Sequence, residues 1–248
     1  MASINENLNL WSGYDWTQLG DEWSEPWGGS DYLWFGTIMP RICRFLPAKT
    51  ILEIAPGYGR CTQFLRFNCE KLIVVDVTPN CIDFCKERFK TATNIDYYVN
   101  DGRSLNMLDN HSIDFVFSWD SLVHTEADVI SSYLCYLAAK LKPGGAGFLH
   151  HSNFGTLINP ETSLPTVDNN HGRASSMTAE LSRILCKNAG LRCIAQEIIN
   201  WRESFLNDCF TWIQKPDKSQ PVQETKIYSN PNFNLEMNHL QQISLLLS

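Results

Sequence analysis

Glu53, Ala55, Gly57 and Gly59 stand two apart in the stretch ILEIAPGYGR, and Asp76 closes the apolar run LIVVD that follows a short amphipathic segment. Glycine has no Cβ and tolerates positive φ, so Gly57 and Gly59 allow a tight turn whose backbone can approach a ligand closely. A carboxylate at the tip of the second strand can accept both hydroxyls of a ribose. Together these residues form the pattern of a nucleoside pocket. A second group of residues suits proton transfer, because histidine titrates near neutrality. His124 follows a strand in SWDSLVHTE, with Asp120 and Glu126 able to orient its ring, while His150 and His151 lie at the end of a later strand and His171 beyond it. Strand alternation sends His150 and His151 to opposite faces, and His151, nearer the strand's carboxyl end, is the one expected to face the site. Asp120, His124, Glu126, Asp128 and His151 hold enough ligand atoms for a cation, but magnesium prefers oxygen to imidazole, so no metal is expected.

Two ligand classes use a strand, glycine turn, helix, strand and acidic residue: dinucleotides and S-adenosylmethionine. A dinucleotide turn needs a third glycine for close helix–strand packing and faces its helix N-terminus to a pyrophosphate. Thr62 stands at that third position, and Glu53 would repel a pyrophosphate. The series Glu53-x-Ala55-x-Gly57-x-Gly59 instead resembles motif I of the class I S-adenosylmethionine-dependent methyltransferases, with Ala55 in place of the first glycine. Asn100-Asp101-Gly102, the strand IDFVFSWD and the phrase LKPGG occur in the order of that family. The resemblance is strong over residues 48–155 and weaker to about Lys215.

The resemblance implies S-adenosyl-L-methionine as cofactor, with Glu53, Ala55, Pro56, Gly57, Gly59, Arg60, Asp76, Val77, Asp101, Gly102, Ser118 and Trp119 around it. Asp76 would take the ribose, Asp101 the adenine amino group, Glu53 the cationic end of the methionine part and Arg60 its carboxylate. It also implies methyl transfer to an oxygen of a small polar acceptor, a sugar or a secondary metabolite, with a histidine base. N-methylation of an amine or peptide, including a modified peptide natural product, is the alternative. A NAD-dependent oxidoreductase and a non-catalytic adenosylmethionine-binding protein fit less well.

These residues must be positioned by alternating strands and helices, and a parallel sheet with right-handed crossovers follows. Strands are predicted at Ile51–Ile54, Leu72–Asp76, Ile95–Val99, Ile113–Ser118, Gly147–His151, Arg192–Ile199 and Asp208–Gln214. The expected fold is therefore α/β and Rossmann-like, with seven mostly parallel strands and helices on both faces; the antiparallel setting of the last strand is implied by the resemblance. Ala127–Leu141 reads as a helix stopped by Lys142-Pro143-Gly144-Gly145. Asn153–Ser176 reads as a long loop leaving the ligand-binding end of the sheet, part of the acceptor site or a lid.

Residues 1–47 hold five of the eight tryptophans, a composition foreign to disordered chains. By the resemblance they form a lid over the cofactor mouth. Trp27, Tyr32 and Trp34 are expected to reach the acceptor, with Asn153 and His150 also contacting it. The methyltransferase domain spans 48–215, and 216–248 is a polar, then apolar, C-terminal tail. With net charge −7 and no basic stripe, nucleic acid is not an expected partner. A small-molecule or peptide acceptor is expected, with the chain acting alone or as a homodimer. The N-terminus lacks a basic n-region and an apolar h-region, and no run of 18 apolar residues occurs, so a cytoplasmic protein without membrane contact is expected. The nine cysteines follow no disulfide or zinc spacing. Cys81 and Cys85 share one helix face and are expected to pack in the core.

Overall fold

The computed structural model describes residues 3–217 and 224–247. Its described strands are β1 (Ala48–Ile54), β2 (Cys69–Asp76), β3 (Ile95–Val99), β4 (Ile113–Ser118), β5 (Leu141–Ser152), β6 (Arg192–Ile199), β7 (Asp208–Gln214) and β8 (Lys226–Asn230). They form one sheet in the order β3-β2-β1-β4-β5-β7-β6-β8. Seven strands lie where the sequence places them, and the eighth is a correction to the expected count. β5 also starts earlier than expected, at Leu141, directly after the helix.

The helices are α1 (Ile4–Ser12), α2 (Ser30–Tyr32), α3 (Met39–Ile42), α4 (Thr62–Leu65), α5 (Pro79–Arg88), α6 (Ala127–Lys140), α7 (Ala179–Asn188) and α8 (Phe233–Leu247), with a π-helical stretch, Leu33–Ile38, joining α2 to α3. Helix-length connections return β2, β3 and β5 parallel to their partners. Only residues 200–207 separate β6 from β7, and so short a link joins neighbouring strands antiparallel. No helix among the described residues is long and apolar enough to cross a membrane.

The central strands are apolar on both faces because both are covered. Leu52, Ile54, Ile73, Val75, Val116 and Leu149 face a core shared with α6 and α7. Ile51, Leu72, Val74, Phe115, Phe117, Phe148 and Phe210 face the other, completed by Trp27, Trp34 and Ile42 from the N-terminal segment and by Phe233 and Met237 of α8. The regions 1–47 and 216–248 thus contribute to the same core as the strands. Arg41 fixes this join: its Nε donates to Glu197 on β6 at 2.8 Å and its Nη2 to Glu236 on α8 at 2.9 Å. Gly36 lies so close to α8 that a Cβ there would meet Leu240 at 2.6 Å.

Candidate functional site

β1 has β2 on one side and β4 on the other, and open α/β sheets bind ligands outside the carboxyl ends of strands at such a switch point. A cavity of about 520 Å³ opens there, within the usual range for small-molecule sites. Its wall is shared by the glycine turn, the tips of β2 and β4, the N-terminal segment and the loops after β5 and β6.

The turn holds three residues at positive φ: Ala55 (+57°), Gly57 (+58°) and Gly59 (+88°). A Cβ on Gly59 would meet the Phe89 ring at 2.5 Å. Ala55 thus adopts the left-handed conformation that a glycine would take freely, at a cost of about 1–2 kcal/mol. Its N–H donates to Val75 O at 2.8 Å, and its carbonyl accepts from Ser121 Oγ at 2.8 Å. Asp76 is buried at the tip of β2, where Oδ1 accepts the Thr78 N–H at 2.7 Å. Burial pushes its carboxyl up to about 6, against the N–H groups of Thr78 and Gly57, which favour the ionised form. Glu53 accepts the Thr62 hydroxyl at 2.6 Å, so the residue that replaces a third glycine has a role in the turn. Burial, joined by the nearby Asp76 charge, raises Glu53 to about 8. Arg60 donates Nη2 to Asp120 at 3.1 Å, while its buried Nη1 has no partner among the described residues.

Pro56, Val77, Gly102 and Trp119 also line the cavity. Asp101 does not: it is exposed, and Oδ1 accepts the N–H groups of Arg103 and Ser104 at 3.0 and 2.7 Å. The adenine role expected of it is corrected to this extent: the carboxylate lies off the cavity wall, with Oδ1 closing its own turn. Ser118 is likewise corrected, being buried off the wall with its hydroxyl donating to Ile54 O at 2.9 Å.

At the other end of the cavity Asp120 (φ +55°) donates its N–H to His150 Nδ1 at 3.1 Å. His150 Nδ1 must therefore be the bare nitrogen, and Nε2–H donates to Asp208 Oδ2 at 3.0 Å. Arg173 forks onto the same carboxylate at 2.9 and 2.7 Å. Burial alone would raise Asp208, but Arg173 and His150 hold it below the usual carboxylate range. His150 thus faces the pocket side but lies behind Asp120, off the wall, which corrects its expected acceptor contact.

His151 faces the opposite way, and its selection as a base is corrected. It is buried, its Nδ1–H donates to Ser152 O at 2.8 Å and its Nε2 pairs with the Thr211 hydroxyl at 2.8 Å, leaving no lone pair for a substrate. Burial lowers it to about 4.

His124 is on the wall, half-buried, with its ring 5.5 Å from that of Trp11. Nδ1 lies 2.9 Å from Gly172 O; a carbonyl only accepts, so Nδ1 carries the proton, and Nε2 keeps a lone pair with no hydrogen-bond partner among the described residues. Burial first, and then the Arg173 charge, lower its pKa, so the ring is neutral at pH 7.

Trp27 reaches the wall, donating Nε1–H to Thr37 at 3.0 Å. Trp34 instead stacks on Phe64 in the core, and Tyr32 lines a separate surface depression beside α8. Asn153 caps α7, accepting the Ala179 N–H at 2.8 Å. These three expectations are corrected. The aromatic wall includes Trp11, Tyr14, Trp16, Trp23, Trp27, Trp119 and Trp201. Among them Trp201 was not signalled by the sequence, nor were Arg173 and Arg202. No group of three His, Cys, Asp or Glu side chains able to hold a metal ion occurs among the described residues.

A buried carboxylate at the tip of β2, a guanidinium with one free nitrogen and a buried acid beside the turn mark the binding end of an α/β domain. Residues 51–145 match the family model described as a methyltransferase domain. The chain is 28% identical over 156 residues to the biotin biosynthesis bifunctional protein BioHC of Cellvibrio japonicus, covering 61% of this chain and 30% of that protein. The chain spans about 20–30% of the length of the curated relatives it matches. Among solved structures, an S-adenosylmethionine-dependent methyltransferase from Leishmania major superposes with TM-score 0.62 at 14% identity, over 85% of this chain and 82% of that one. The N-methyltransferase NodS of Bradyrhizobium japonicum, in complex with S-adenosyl-L-homocysteine, superposes with TM-score 0.54 at 17% identity, over 73% and 86%. Residues 51–145 thus form a methyltransferase domain, a kind of domain whose cofactor is S-adenosyl-L-methionine, and the fold is that of the S-adenosylmethionine-dependent methyltransferases it superposes on.

Replacing Asp76 with alanine is expected to weaken S-adenosylhomocysteine binding by about 1.5–3 kcal/mol, the worth of hydrogen bonds to a charged acceptor. Calorimetric titration reads it, and unchanged affinity would remove the ribose role.

Proposed function

We propose that the chain transfers a methyl group from S-adenosylmethionine to a hydroxyl oxygen of a small polar acceptor, a sugar or another secondary metabolite, with His124 as general base. The observation that carries this reading is the free Nε2 lone pair of a neutral histidine on the cavity wall. The bound cofactor supplies an electrophilic methyl carbon on a sulfonium that leaves as a thioether.

The chain's own residues do the rest. Arg60 Nη1 offers a donor to the methionine carboxylate, and Glu53 a carboxylate to its ammonium. The tryptophans exclude water and hold the acceptor by its apolar face, and alignment of this kind supplies roughly 7–11 kcal/mol in well-oriented reactions. His124 Nε2 takes the hydroxyl proton as the new O–C bond forms. Asp120 does not serve as a base, being tied to Arg60 and through its backbone to His150. N-methylation remains the second reading, supported by the name of the structural neighbour NodS. Neither nucleic acid nor a membrane enters either reading.

The test supplies methyl-labelled cofactor with matched hydroxyl and amine acceptors and follows label in product. Label on hydroxyl acceptors supports O-methylation, whereas label confined to amines overturns it.

Glu53 yields a separate expectation. With its pKa near 8 the free protein holds a proton there at pH 7, and an arriving ammonium favours the ionised form. Binding of S-adenosylhomocysteine should therefore release a proton, seen as a dependence of the calorimetric heat on the buffer's ionisation enthalpy. No such dependence at pH 7 would separate Glu53 from the ammonium.

A further inference from the structure

Beside His124 the cavity wall carries two guanidinium groups, Arg173 and Arg202, and the carboxylates of Asp120 and Glu126, with Arg60 at the turn. Most of these charges are paired or hydrogen-bonded within the protein: Glu126 accepts the Ser176 N–H at 3.0 Å. Arg60 is engaged by Asp120 and Arg173 by Asp208. Arg202 differs. Its backbone N–H donates to Asn234 Oδ1 at 2.8 Å, but its exposed guanidinium has no hydrogen bond or ion pair among the described residues. Glu203, next to it, is turned toward His171 at 3.6 Å and Asn170 at 3.5 Å.

The backbone at Arg202 has φ +55°, a conformation rare for a residue with a long side chain and one that persists only where its surroundings impose it. α8 imposes it. Besides accepting from Arg202, Asn234 donates Nδ2–H to Glu203 O at 2.8 Å, and its own N–H meets Asn200 Oδ1 at 3.4 Å. The C-terminal addition thus holds the β6–β7 turn so that Trp201 and Arg202 both reach the cavity wall. A second wall group is also a donor without a partner among the described residues: the buried Nε1–H of Trp119, whose ring lies 5.6 Å from that of Trp201. The unpartnered polar groups of this wall ask for acceptor atoms, and its free charge asks for an anion.

We propose that the methyl acceptor is an anionic small molecule bearing a carboxylate or phosphate, which Arg202 binds at the cavity mouth while the hydroxyl to be methylated reaches His124. This rests on the methyltransferase reading above and narrows its acceptor. It disfavours a cationic amine, which the free Arg202 guanidinium would repel. Arg202 acts as a specificity residue, and α8 as the scaffold that aims it.

The test uses the full chain saturated with S-adenosylhomocysteine and follows tryptophan fluorescence while glucose, glucuronate and glucose 6-phosphate are added as probes. Cofactor binding is read first by calorimetry, and its failure would overturn the underlying reading rather than this one. The expected result is saturable binding of at least one anionic probe, about tenfold or more tighter than glucose, with the better anion distinguishing carboxylate from phosphate. Arg202→Gln should abolish that preference with S-adenosylhomocysteine affinity unchanged, and Arg202→Lys should restore part of it. Equal binding of glucose and the anions, no binding of either anion, or an undiminished preference in Arg202→Gln overturns the proposal.

Discussion

Replacing His124 with alanine is expected to lower turnover by about 100-fold or more, the usual worth of a positioned general base, with S-adenosylhomocysteine affinity unchanged. The residue sits where the two effects separate. His124 lies on the cavity wall beside Trp11 and Gly172, whereas Glu53, Asp76 and Arg60 surround the turn. Its backbone carbonyl accepts from Asn7 Nδ2 at 3.1 Å, a bond that survives truncation of the ring. A pH profile strengthens the test. The proton acceptor must be neutral, and burial with the Arg173 charge shifts His124 toward the neutral form. Turnover should therefore be flat through pH 7 and fall only as pH drops below the ordinary histidine range, near 6.5. Loss of that acid limb in His124→Gln, alongside the lowered rate, identifies the titrating group. Equal losses of turnover and cofactor affinity would instead make the ring structural.

The parts of this site legible in the sequence are those set by backbone geometry. The turn from Glu53 to Gly59 and the acid at Asp76 declare themselves because only certain residues fit there, and buried parallel strands read as short apolar runs between turn signals. β8 was missed for the converse reason. Four of the five residues in Lys226–Asn230 are exposed, so this edge strand carries no apolar pattern. The choice between His150 and His151 failed on phase. Phe148 and Leu149 are both buried, one in each core, so a strand covered on both faces offers no polar–apolar alternation to say which side is which. Asp101 illustrates a third limit, since an Asp before Gly can serve a ligand or close its own turn with equal chemical sense. Among the tryptophans, Trp34 lies in the mostly apolar stretch from Leu33 to Met39 and is core, whereas Trp11, Trp16 and Trp23 are spaced among polar residues and line the cavity. Arg173 and Arg202 lie on loops far apart in sequence, and only the fold brings them to one wall.

Asp208→Ala is expected to be the most destabilising single change at the site. Its carboxylate is fully buried and receives both Arg173 and His150. Without it the Arg173 guanidinium stays buried, facing only Asp120 at 3.8 Å. Removing one partner of a buried pair costs about 3–5 kcal/mol, a large share of the 5–15 kcal/mol of a typical domain. The melting temperature should fall by roughly 10 °C. The pH dependence has a definite sign. Asp208 has its folded pKa depressed, so its stabilisation is present above the unfolded value of about 3.9 and is lost as pH falls through the lower folded value. The pair should hold throughout the neutral range. Its purpose can be separated from its stability, because a buried ion pair replaced on both sides by apolar groups is often neutral or stabilising. The double variant Arg173→Met with Asp208→Leu should recover most of the lost melting temperature. Turnover should nevertheless stay low, since His150 then has no acceptor for Nε2–H. The tautomer that receives the Asp120 N–H, and with it the strained backbone placing Asp120 against Arg60, is no longer enforced. A double variant with both wild-type stability and wild-type turnover would show that the network does not position the acceptor end of the cavity.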